Sequence, residues 1–141
     1  MLANLTIEEC EMKHLLAATA VIEVGAGLAL LAAPAVVVQL LLGADISGEA
    51  IPLGRLAGVA LLALGIACWL AYGDAEGRAA RGLIVGMLVY NFGAAGILAV
   101  AGSQSQTNGI ALWPAVVVHA VMGIWCVLLL ARKSAQPAEI L

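Results

Sequence analysis

Four side chains in this sequence have the chemistry to act together, and all four stand inside long apolar runs: Glu23, Tyr90, Asn91 and His119. A carboxyl, a phenol, a carboxamide and an imidazole supply proton-exchanging groups and both halves of a hydrogen bond. His119 is the most informative. The stretch Trp113-Pro-Ala-Val-Val-Val-His-Ala-Val-Met-Gly123 puts a titratable ring in the middle of an apolar segment. On insertion scales a charged group at the centre of a membrane helix costs roughly 2.5 to 3.5 kcal/mol, so such groups face the interior, pair with one another and mark functional sites.

The elements that must position these groups are readable from composition. The chain is 64% hydrophobic and 11% charged, against about 25% charged in soluble domains, and its mean hydropathy is +1.09. Four runs each meet the requirement of about 20 apolar residues for a spanning helix. The sequence therefore predicts an all-α membrane protein, a four-transmembrane-helix up-down bundle forming a single integral domain, with spans near 13–33, 51–72, 80–102 and 110–132. The loops are too short to hold a soluble catalytic domain. A net charge of −3 without a basic run argues against nucleic acid.

Pro34 should break or kink the first run, because proline removes an amide donor and disfavours helix in the residue before it. A short interfacial or kinked helix over 34–42 follows. Thr6 and Glu9 have capping-box spacing, which predicts a helix start there. The opening acidic residues Glu8, Glu9 and Glu11 do not fit a secretory signal, so the first helix is expected to be retained. Gly54 and Gly58 stand at G-x-x-x-G spacing in the second span, and Gly82, Gly86, Gly93 and Gly96 form a stripe on the third. Small residues let helices approach closely in lipid, so both sets are expected to be packing surfaces. Packing within the bundle is favoured over packing on another subunit.

Orientation follows the positive charges. Lys13, Arg78, Arg81, Arg132 and Lys133 fall on one side and Arg55 alone on the other, which predicts cytoplasmic termini. Arg55 and Trp113 belong to the outer rim, while Trp69 and Tyr72 suit the inner aromatic belt. Cys10, Cys68 and Cys126 have no metal-site or disulfide spacing and read as free thiols.

At about 1.5 Å per residue, Glu23, Asn91 and His119 each lie roughly 15 Å into their helices, near the middle of a core about 30 Å thick. Glu23 and His119 are the expected couple, with Asn91 bonding to either. Tyr90 falls on a different flank of its helix. Ala20 and Gly27 beside Glu23, and Gly123 beside His119, leave room for close approach or for a ligand. Three readings follow: a buried hydrogen-bonded clasp that fixes helix register, a site for a ligand, proton or cofactor, or a contact with a partner helix.

Glu23 before Gly27-Leu28 and Pro34, Arg55-Leu-Ala-Gly58, Tyr90-Asn91, and Trp113-Pro114 with His119 together resemble small bacterial four-helix membrane proteins of the broad DoxX-like type. The resemblance covers nearly the whole chain as a pattern of single residues. It implies a multi-pass protein of the bacterial inner membrane. Some DoxX-like proteins are associated with quinone-linked sulfur oxidation, and no redox motif here supports carrying that activity over. The leading expectation is a binding or accessory protein whose partners are the bilayer and a hydrophobic small molecule or lipid. The alternative is a non-catalytic subunit that joins a membrane partner or a second copy through its glycine faces. No cofactor is expected: bis-histidine haem ligation needs a second deep histidine, and His14 lies at the membrane edge. Four helices leave little lumen for a channel, and no nucleophile–base constellation suggests an enzyme.

Overall fold

The computed structural model describes residues 2–75, 77–104 and 109–135. It is all-helical, with no strand among those residues: α1 (Leu2–Ala32), α2 (Pro34–Leu42), α3 (Ala50–Ala71), α4 (Arg78–Gln104) and α5 (Leu112–Ala135), plus a 3-10 turn at Tyr72–Asp74. Four of the helices are long and apolar enough to cross a membrane, over Glu9–Ala32, Ala50–Asp74, Arg78–Gln104 and Leu112–Arg132.

The break between α1 and α2 falls where proline demands it. Ala33 leaves helical geometry (φ −143°, ψ 63°) and Pro34 takes the first position of α2, where its missing amide costs nothing. Helical bonding resumes at once, with the Val37 amide donating to Ala33 O at 3.1 Å. α2 then stops at Gly43, whose φ of 66° suits glycine as a left-handed cap, its amide donating to Gln39 O. The start of α1 differs from expectation. Helix already runs from Leu2, so the Thr6–Glu9 spacing does not open it. The Thr6 side chain lies outside the described residues, and Glu9 instead pairs with Lys13 one turn on, at 2.6 Å.

The helices associate as two close pairs. In the first, α1 meets α3 through glycine. A Cβ on Gly27 would stand 2.7 Å from Gly58 O, one on Gly58 would stand 2.8 Å from Gly27 O, and one on Gly65 would stand 3.0 Å from the Val24 amide. Gly54 lies against Pro34 in the same way. Contacts descend α3 as they climb α1, so the two helices run antiparallel. In the second pair α4 and α5 are also antiparallel: Gly102 meets Leu112 and Trp113, and the Phe92 ring covers Gly123 at 3.2 Å. The glycines of α4 behave otherwise. A Cβ on Gly82, Gly86, Gly93 or Gly96 would meet nothing within 4 Å. The packing within the bundle favoured for this stripe is therefore corrected, because α1 and α5 approach α4 on its other faces.

The two pairs are joined mainly in the half that holds the ends of the chain. There Leu15, Leu16, Cys68, Ile84, Met87, Cys126 and Leu129 form the buried core. Arg132 of α5 pairs with Glu11 of α1, and Lys13 stands 5.9 Å from the Tyr72 ring centre, which stacks on Trp69. In the opposite half a space remains between the pairs, bordered by α2.

Candidate functional site

The polar residues lie at the boundary between these halves. Asn91 is 2% exposed and Glu23 3%, while large apolar side chains such as Leu53, Leu70, Val89 and Ile97 are exposed on the outside. Polar groups inside an apolar shell invert the usual distribution in water.

The hydrogen bonds correct the expected coupling of Glu23 with His119. Tyr90 Oη donates to Glu23 Oε2 at 3.4 Å, and His119 Nδ1 bonds Asn91 Oδ1 at 3.0 Å. Tyr90 links the two pairs, its ring edge-on to His119 with centres 5.6 Å apart and planes at 83°. Adjacent residues on α4 serve different neighbours because α1 lies toward one flank and α5 toward the other. The separate flank expected for Tyr90 therefore also faces the interior.

The Asn91 bonds also assign the histidine tautomer. Asn91 Nδ2 donates to Met87 O at 2.9 Å. Turning the amide over would set two acceptor oxygens against each other, so Oδ1 must face His119. An acceptor there requires the hydrogen on Nδ1, which leaves Nε2 of the neutral ring as a lone-pair acceptor.

Beside this cluster a cavity of about 520 Å³ opens between the helix pairs, within the range typical of small-molecule sites. Glu23, Tyr90 and His119 stand at its inner end. Ala26, Ala94 and Ala115 line its walls, and Val37, Leu40 and Leu41 of α2 border its far end. Exposed Ile97 and Val118 flank its opening to the side. The Ala111 amide donates to Leu40 O at 2.9 Å, tying α2 to the start of α5 across that end. From Glu23 to Leu30 the helical rise makes the cavity roughly 10 Å deep.

The structure thus gathers Glu23, Tyr90, Asn91 and His119. It leaves Arg55 exposed and outside the cluster, and Trp113 half-exposed against Gly102. Gly27 and Gly123, expected to leave room near the polar groups, are spent on helix contacts. The room comes instead from Ala94, one turn beyond Tyr90, and Ala115, one turn before His119. Those spacings were visible in the sequence as small residues at i±4 from polar ones. Among the described residues no three His, Cys, Asp or Glu side chains gather as a metal would require. The Cys10 and His14 contact at 3.7 Å lies at the other end of α1.

No family profile, curated protein or solved structure matches the chain.

Proposed function

We propose that this is an up-down four-span membrane protein that holds a hydrophobic, lipid-like molecule between its two helix pairs. The observation that carries the reading is the cavity itself. It is an apolar recess ending on Glu23, Tyr90 and His119, in the half of the bundle away from the buried core cluster. A purely structural clasp would need the hydrogen bonds but not the space beside them. The four apolar helices and the apolar exterior support membrane insertion, and the basic residues support cytoplasmic termini. A place among the DoxX-like proteins of the bacterial inner membrane is part of the proposal and rests on the residue pattern alone. The role is binding or accessory.

Filling the recess tests this. Ala115→Phe should lower the amount of lipid or other small molecule that co-purifies, measured by native mass spectrometry, and leave the melting temperature within a few degrees of wild type. Unchanged co-purified molecules in that variant, with Glu23→Gln and His119→Ala losing only stability, would return the cluster to a structural role.

A second reading has its own support in the open glycine stripe of α4, which suits a helix of another membrane subunit. Migration at monomer mass on blue-native gels of gently solubilised membranes would count against it.

A further inference from the structure

Resting on the ligand-binding reading, we infer that the cavity selects an uncharged amphiphile headed by a hydroxyl group, with that head innermost. The acceptors at the inner end carry the argument. The Met87–Asn91–His119 chain fixes the hydrogen on Nδ1 and presents the Nε2 lone pair. Tyr90 occupies Glu23 Oε2, and Oε1 has no partner. Among the described residues no fully buried side-chain nitrogen or oxygen lacks a hydrogen bond, so Nε2 and Oε1, both unpartnered, retain open surface. His119 and Glu23 both line the cavity.

A molecule seated there must bring a donor for Nε2. A methyl, ether or ester terminus brings none. A hydroxyl donates to Nε2 and leaves its own oxygen free to accept from a protonated Glu23 carboxyl, so the head needs no charge. Charged heads fit less well. A phosphate would face a lone pair and a carboxyl, and no Lys or Arg lines the cavity to balance it. An ammonium would require ionised Glu23 in an apolar recess, and burying two charges is costly even when they pair. The alkyl or isoprenoid chain then runs from the head toward α2, along Ala26, Ala94 and Ala115, and leaves sideways past Ile97 and Val118. That arrangement suits a molecule with a small uncharged head that can sink below the interface.

The test uses the full chain in phosphatidylcholine nanodiscs carrying equal fractions of hexadecanol, hexadecyl methyl ether or hexadecylamine, with bound probe read by native mass spectrometry. A site built to bond a hydroxyl rejects the analogue lacking that donor strongly. Hexadecanol should therefore be retained at least about tenfold over the ether. His119→Phe, which keeps the ring but removes the acceptor, should bring the alcohol down to the ether level. Ala115→Phe should remove both. Equal retention of alcohol and ether by wild type, both lost in Ala115→Phe, overturns the head-group inference while leaving the binding site standing. Preference for the amine overturns it in favour of a cation site at Glu23. Retention of no probe above the Ala115→Phe background removes the binding reading as well. The wild-type comparison needs no variant to fold.

Discussion

Asn91 controls what His119 offers, because the Met87 carbonyl decides which way its amide points. The tautomer is directly measurable. In a His14→Gln background, the ¹⁵N spectrum of labelled histidine should show His119 protonated at Nδ1, and Asn91→Leu should shift the population toward Nε2. A wild-type spectrum dominated by the Nε2-protonated form would contradict the assignment. The same substitution removes an interhelical hydrogen bond, and such bonds within membranes average about 0.6 kcal/mol, so the bundle should lose little stability. At this scale the sequence was informative about membership. Depth counting brought Glu23, Asn91 and His119 together, because polar groups set midway along apolar helices have few partners other than one another. Who bonds to whom was not legible: it depends on how far α1 and α5 stand around α4, and periodicity within one helix does not contain that angle.

Two glycine sets that look alike in sequence have opposite environments. Gly58 sits where a Cβ would stand 2.8 Å from Gly27 O and 3.0 Å from the Leu31 amide, both backbone atoms that can only move by separating the helices. Gly58→Ala should destabilise the bundle by about 1 to 3 kcal/mol, the usual range for overpacking, seen as a lower melting temperature in detergent. Gly86 meets nothing, so Gly86→Ala should leave stability unchanged or raise it, by up to about 1 kcal/mol from helix propensity. Equal losses at both positions would contradict the pairing of α1 with α3. Helix number and the Pro34 break were readable because hydrophobic run length and the missing proline amide are local properties. The direction of the α4 stripe was not, since small residues permit approach without specifying from which side. Nor was the seat of α2, which depends on the bend at Ala33 and on the bond from the Ala111 amide to Leu40.

Across the whole molecule, one half is core and the other is recess. The half with the chain ends is tied by Leu15, Leu16, Ile84, Met87 and Cys126 and by the Glu11–Arg132 pair. The far half has α2 laid across a gap. Large-to-small changes should report this difference. Ile84→Ala should cost about 2 to 5 kcal/mol, as a cavity in a packed interior does, whereas Ile97→Ala at the rim should cost well under that in the same unfolding assay. Similar losses at the two sites would mean that the far half is packed like the near one. Composition announced a bundle with an apolar exterior. The recess could not be foreseen from composition, because its walls come from residues of all five helices brought together only by the fold.

The central claim is that the recess is a binding site, and the most direct measurement is an experimental density map of the protein purified with its native lipids. Non-protein density should begin between Glu23 and His119 and run along Ala94 and Ala115 toward α2. A recess closed by inward movement of α2, with Ile22, Ile97 and Val118 in mutual contact and no density beside His119, would contradict it.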